Sequence, residues 1–199
     1  MTKEKIAIFD FDGTITSKDS MLDLALKHFG PIKFYCGLIR IIPKILLCKL
    51  GIISNSAAKE GFLTYFYHQM NYDEFVKICT KYSLEEIDKI TKPAALAKIN
   101  FYKSQDYKMI IVSASLEEWI KPWALKNGFT TIITSKIMVE NDKITGKLNG
   151  KNCYGEEKVN RFISCFGPFE NYYTVSFGDS KSDKKILEKS NEAYYRKYE

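Results

Sequence analysis

Four short segments carry groups suited to one kind of chemistry. The run Ile6-Ala7-Ile8-Phe9-Asp10-Phe11-Asp12-Gly13-Thr14 ends an apolar stretch in two aspartates, and Ile110-Ile111-Val112-Ser113 ends one in a hydroxyl. Gly155-Glu156-Glu157-Lys158 opens a helix-like pattern with a lysine, and Phe177-Gly178-Asp179-Ser180-Lys181-Ser182-Asp183 follows an apolar stretch with two more acids. Carboxylates do not gather at the edge of a buried sheet without a cation to hold them. Oxygen donors of this kind suit magnesium, which takes a few protein ligands and completes its shell with water and phosphate. The economical reading is a magnesium site that handles a phosphate group.

Each group then has a candidate role. On an extended backbone Asp10 and Asp12 point the same way, and Gly13 lets the chain turn after them. One carboxylate would attack phosphorus while the other protonates the leaving oxygen. For that, Asp12 must be raised above the free value of about 3.9 by its surroundings. Ser113 is expected just before a helix with Ser115 and Glu118 as its capping box, and N–H groups at such a start bind phosphate. Lys158 would offset the phosphate charge, with Lys147 and Lys151 as rivals. Asp10, Asp179 and the Asp12 carbonyl oxygen would hold the ion. Asp183 reads two ways: as an acid at a helix start capped by Ser180, or as the group that orients Lys158 and the ion's water.

These groups need strands to carry them. Short apolar runs at 6–9, 109–112, 131–134 and 174–177 fit parallel strands buried on both faces. Helical patterns at 94–104, 116–126 and 156–166 alternate with them, the last two stopping at Asn127-Gly128 and Gly167-Pro168. The expected fold is α/β, a Rossmann-like doubly wound parallel sheet with helices on both faces. In such sheets ligands bind beyond the carboxyl ends of the strands, which is where Asp10, Ser113 and Asp179 fall. Residues 18–92 contain no convincing strand but do show helix starts at Asn71 with Glu74 and at Ser83 with Glu86, and a break at Gly30-Pro31. They read as an all-helical cap inserted after the first strand, leaving 1–17 and 93–199 as the catalytic core. Ile137 to Lys147, turning near Asn141-Asp142, reads as a small hairpin flap.

Composition narrows the class. A chain of 199 residues, 45% hydrophobic and 27% charged, can bury one sizeable core plus a small appended unit. The net charge of +6 favours anionic ligands. No nucleic-acid-binding signature accompanies it, so nucleic acid is not an expected partner. The five cysteines are odd in number and widely spaced, which fits reduced thiols in a cytoplasmic protein. His28 and His68 read as surface or packing residues. The start Met1-Thr2-Lys3-Glu4-Lys5 runs straight into a strand pattern with no signal-peptide features.

The four segments in this order resemble the haloacid dehalogenase superfamily over nearly the whole chain. Asp10-Phe11-Asp12-Gly13-Thr14 is similar to its first motif, Ser113 to its second, Lys158 to its third, and Gly178-Asp179 through Asp183 to its fourth. The helical insert, Ile144-Thr145-Gly146 and Asn152-Cys153-Tyr154-Gly155 resemble the phosphoserine-phosphatase-like subfamily. The resemblance implies a magnesium-dependent phosphomonoester hydrolase. Asp10 would form an aspartyl-phosphate and Asp12 would protonate the leaving alkoxide and then activate water. Thr14, Ser113, Ala114 and Lys158 would hold the phosphoryl group, with Ser182 and Asp183 in support. True dehalogenases lack the second aspartate, so Asp12 points away from that chemistry. The alternatives on the same site are a phosphotransferase or mutase, and a non-catalytic phosphate-binding module.

Departures bear on the substrate. Phosphoserine phosphatases carry a glutamate where this chain has Asp19, an arginine for which Lys59 is the nearest counterpart, and an asparagine where Ser182 stands. These point away from phosphoserine. Residues 34–53 form the most apolar stretch, broken by Arg40, Pro43, Lys44 and Lys49. That argues against a span and fits either cap packing or peripheral contact with the inner face of a membrane. A phosphatidylglycerophosphatase branch of the subfamily looks similar here. The expected substrate is thus a phosphorylated small molecule or a phospholipid head group, selected by Asp19 and by Lys59 or Arg40, with no obligate protein partner.

Overall fold

The computed structural model describes residues 3–196. Met1, Thr2 and residues 197–199, which the sequence reading assigns to the core, lie outside the described residues. Five strands form one parallel sheet: β1 (Glu4–Phe9), β2 (Lys108–Leu116), β3 (Thr131–Ser135), β6 (Tyr172–Gly178) and β7 (Glu192–Tyr195), in the order β3-β2-β1-β6-β7. Two further strands, β4 (Ile137–Glu140) and β5 (Lys143–Leu148), pair antiparallel as the expected flap. Asn141 and Asp142 turn it with positive φ of 49° and 59°, as a tight hairpin turn requires.

The alternation of side chains along each strand splits the core into two layers. Phe9, Ile111 and Phe177 face the helices α5 (Pro93–Ser104) and α6 (Glu117–Lys126), packing with Ile99, Trp119 and Trp123. Ile8, Ile110 and Val112 face the other way, toward Val159 and Phe162 of α7 (Glu156–Phe166) and Ile186 of α8 (Lys184–Lys189). Each fully buried side chain of this size contributes about 1.5–3 kcal/mol. The sheet is therefore covered on both faces, the doubly wound arrangement expected.

The helices α1 (Ser20–Lys49), α2 (Asn55–Tyr67), α3 (Tyr72–Glu85) and α4 (Ile87–Ile90) all lie between β1 and α5. Asp19 caps α1 by accepting the Leu22 N–H at 3.0 Å. Gly30, at φ 77° and ψ 167°, breaks α1 ahead of Pro31. Asn71 caps α3, but the second expected helix start is absent. Ser83 lies buried inside α3, and its Oγ accepts the Trp123 N–H at 3.0 Å, while Glu86 pairs with Lys27 and Lys89. Packing of α3 on α6 here overrides the local capping preference of a serine. The flap packs on α2, where the Gly146 carbonyl accepts from Thr64 Oγ1.

Candidate active site

The sheet order places the site. Because β1 runs between β2 and β6 and parallel to both, their carboxyl ends lie side by side. The Asp10 N–H donates to the Phe177 carbonyl at 3.0 Å, so Asp10 is pinned at the edge of the sheet. Gly155, at φ 62°, turns the chain into α7, whose Lys158 reaches under that edge and is 1% exposed. Its Nζ donates to Asp10 Oδ1 at 2.8 Å and to Asp183 Oδ1 at 2.6 Å. The other Asp183 oxygen accepts from the Asp179 N–H, the Ser180 N–H and Ser180 Oγ at 3.2, 2.9 and 2.9 Å. Asp183 is thus both a capping acid for the turn 181–183 and the partner of Lys158. Ser182 Oγ donates to Asp183 at 3.2 Å. Lys147 and Lys151, the rival lysines, lie exposed on the surface, Lys147 pairing with Glu60.

Asp179 closes onto the loop after β1. Thr14 Oγ1 donates to its Oδ1 at 3.3 Å. Gly13 sits at φ +79°, and a Cβ there would fall 2.7 Å from Asp179 Cγ, so only glycine permits this approach.

The acids Asp10, Asp179 and Asp183 each offer an oxygen within 4.8 Å of the others. Burial raises the Asp10 carboxyl to about 7, with Lys158 drawing it back and Asp183 adding to the rise. Burial, then Asp183, also raises Asp179. For Asp183, the pull of Lys158 and the hydrogen bonds it accepts outweigh burial and lower it. Burial disfavours the Lys158 ammonium, but the two acids outweigh burial and raise it. One ammonium against three carboxylates leaves excess negative charge in a low-dielectric site. An oxygen-only donor set with that charge fits magnesium. Both oxygens of Asp183 are engaged, so Asp10 and Asp179 are the acids left to face an ion.

Asp12 has its own partners. It follows a turn at Phe11 rather than an extended strand. Asp12 Oδ1 accepts the Ser20 N–H at 2.6 Å, and Oδ2 accepts from Ser115 Oγ. Both aspartates still line one cavity of about 490 Å³. The expected capping box of Ser115 and Glu118 is absent. Strand β2 continues through a bulge to Leu116, helix α6 starts at Glu117 without a side-chain cap, and Glu118 accepts from Tyr72. Pairing with β3 keeps Ser113 and Ser115 extended, so both reach the cavity, and the Ser113 Oγ accepts the Ser115 N–H at 3.2 Å. Ser115 as the partner of Asp12 has one signal in the sequence, its spacing of two from Ser113, which puts both on one face of an extended strand.

The insert supplies the wall. Leu38, Ile41 and Ile45 of α1 and Phe62 of α2 give it an apolar surface. Lys59 Nζ donates to the Ala114 carbonyl, bridging α2 to β2. Burial lowers Lys59 to about 8 against the pull of Asp12 and Asp19. Asp19 is reached by solvent through the cavity yet ringed by protein, and burial, then Asp12, raise it to about 6. Arg40 is not among the cavity residues; it lies exposed beside the Tyr65 ring, 5.8 Å away. His28 and His68 are exposed and outside the cavity, and the five cysteines are free. No helix among the described residues is long and apolar enough to cross a membrane.

Comparison with known proteins accords with this geometry. Protein CicA of Caulobacter vibrioides is 28% identical over 192 residues, covering 96% of this chain and 85% of CicA. A crystal structure of a Bordetella pertussis Tohama I protein of unknown function superposes with a TM-score of 0.78 at 18% identity, covering 94% and 87% of the two chains. A phospho-aspartyl intermediate analogue of phosphoserine phosphatase shares the fold at a TM-score of 0.63 and 17% identity, covering 95% and 84%. The sequence model of the haloacid dehalogenase-like hydrolases matches residues 7–188, and with its motifs at the ends of β1, β2 and β6 and at the start of α7 the chain belongs to that family.

Proposed function

We propose that the protein is a magnesium-dependent phosphatase that hydrolyses phosphate monoesters through an aspartyl-phosphate on Asp10. The observation that carries this reading is the buried Asp10–Lys158–Asp183 ion network beside Asp179, whose Asp10 and Lys158 line a cavity together with Asp12. Residues 18–92 act as the cap and 1–17 with 93–199 as the core. An Asp10 oxygen attacks phosphorus, and the bond from phosphorus to the leaving oxygen breaks. Asp12, held by Ser20 and Ser115, gives that oxygen a proton. Asp12 then takes a proton from water, the water oxygen attacks the phosphoryl group, and Asp10 is released. Lys158, Ser113, Thr14 and the backbone at Ala114 orient the phosphoryl oxygens, while Asp183 and Ser182 keep Lys158 in place. Bound by Asp10, Asp179 and the Asp12 carbonyl, magnesium would supply charge neutralisation for the phosphoryl group.

The apolar wall points to an ester whose leaving group is itself largely apolar, a lipid-linked phosphate among them, with Lys59 and Asp19 reading its polar part. The related phospho-aspartyl intermediate analogue of phosphoserine phosphatase supports the covalent step. Hydrolysis of a phosphate-ester panel, including p-nitrophenyl phosphate and phosphatidylglycerophosphate, tests it. Turnover should require magnesium, stop with chelator and vanish in Asp10→Asn. Magnesium-independent turnover, or an active Asp10→Asn, contradicts it. Better turnover of soluble sugar or amino-acid phosphates than of lipid phosphates removes the apolar-ester reading alone.

A further inference from the structure

Past Gly30, α1 has one face inside the molecule and one outside, and both are apolar. Phe34, Gly37 and Ile41 are buried against the rest of the insert. On the opposite side Ile32, Ile39, Leu46 and Leu50 are 83%, 66%, 54% and 74% exposed, with Tyr35 and Ile42 beside them. At 3.6 residues per turn these fall on one continuous arc of the helix. A bare apolar stripe of this length is unusual for a soluble surface and marks a site of contact.

The surrounding charge says what would cover it. Between Asp23 and Glu60 the chain has no acidic residue, yet it carries Lys27, Lys33, Arg40, Lys44, Lys49 and Lys59. Lys33, Arg40 and Lys44 follow one flank of the stripe, all exposed, and Lys49 lies on the other. A second copy of this chain would bring the same cations to the contact. An anionic surface complements them. The stripe is also continuous with the cavity. Ile45 and Lys49 are exposed and at the same time line the cavity that reaches Asp10.

We propose that the second half of α1, from Ile32 through the C-cap residue Leu50, seats its bare face in the surface of an anionic phospholipid bilayer, with the mouth of the active-site cavity at the membrane plane. The apolar side chains enter the boundary between head groups and acyl chains, and the flanking cations meet lipid phosphates, as interfacial helices do. An amphiphilic ester could then pass from the bilayer along Ile45 to Asp10 without its tail crossing water. The docking stands apart from the phosphatase reading: a chain that binds vesicles but hydrolyses no ester keeps the first and loses the second.

The test is co-sedimentation of the full chain with vesicles of phosphatidylcholine alone and of phosphatidylcholine mixed with phosphatidylglycerol. The chain should bind the anionic vesicles at least roughly tenfold better, and raised salt should weaken that binding. Ile39→Glu with Leu46→Glu, both outside the cavity, should cut binding by about tenfold or more, with p-nitrophenyl phosphate hydrolysis within about twofold of wild type. Should that variant melt early, the milder pair Ile32→Ser and Leu50→Ser gives the same readout from the ends of the stripe. Wild type that stays in the supernatant with both vesicles overturns the proposal. So does a folded variant that binds as well as wild type, or a lipid-free dimer that the substitutions split.

Discussion

The floor beneath the cavity is a charge cluster of Asp10, Asp179, Asp183 and Lys158 at the ends of two strands and the start of a helix, with Asp10 and Lys158 lining the cavity itself, whereas the wall, α1 past Gly30, offers Leu38, Ile41 and Ile45 and no acid. The floor is held by charge-assisted hydrogen bonds between segments more than a hundred residues apart, such as Lys158 to Asp10. The wall is held by ring and methyl packing, as where Phe34, Phe62 and Phe66 meet. The contrast separates two tasks. A reacting group must be fixed in position and charge, which takes a rigid sheet edge and fully satisfied partners. Selecting a leaving group takes a surface of the right polarity, which a helix pair can vary without disturbing the chemistry.

Breaking the floor should have the largest effect. Lys158→Met leaves Asp10 and Asp183 buried without their counter-charge, which costs about 3–5 kcal/mol in unfolding measurements and removes turnover. The sign with pH follows. Burial already raises Asp10, and loss of the Lys158 charge removes what draws it back, so in the variant Asp10 holds a proton in the fold that it would shed in the unfolded chain and the penalty deepens as pH climbs from about 4 toward neutrality. Added magnesium should recover part of the lost stability, and a variant as stable as wild type at pH 7 would separate the floor from the charge argument.

The groups that join floor to wall come next. Asp12→Asn should lower kcat by about 10²–10⁴-fold with the fold intact. Ser115→Ala, which frees only one oxygen of Asp12, should cost about tenfold in kcat with KM little changed. A rise in KM instead would place Ser115 on the substrate rather than on Asp12.

The smallest effect sharpens the wall. Lys59 loses its charge as pH rises through about 8, so KM for an anionic ester should rise roughly fivefold above that pH. In Lys59→Gln this limb should be flat. An unchanged limb would assign it to another group.

The floor was legible in the sequence because each strand there is a short apolar run ending in the group it carries. Phe9 before Asp10 and Phe177 before Gly178-Asp179 state both the burial and the turn. What was not legible depends on contacts that no local pattern encodes. Ser83 looks like a helix cap until α6 packs over it, and Ser115 looks like one until pairing with β3 carries β2 past it. The edge strand Glu192–Tyr195 is not legible because among the described residues it pairs only with β6 and has no fully buried residue to mark it as a core strand. Lys59 could be named as a counterpart of a family arginine, but its reach to Ala114 exists only once α2 lies over the end of β2.

The most direct measurement is a single turnover quenched in acid, followed by mass spectrometry of the peptide spanning β1 and the loop after it. A phosphoryl group on Asp10, removed by hydroxylamine, is the predicted result. Full hydrolysis with Asp10 unmodified at every quench time, or the group found on a different side chain, would contradict the account.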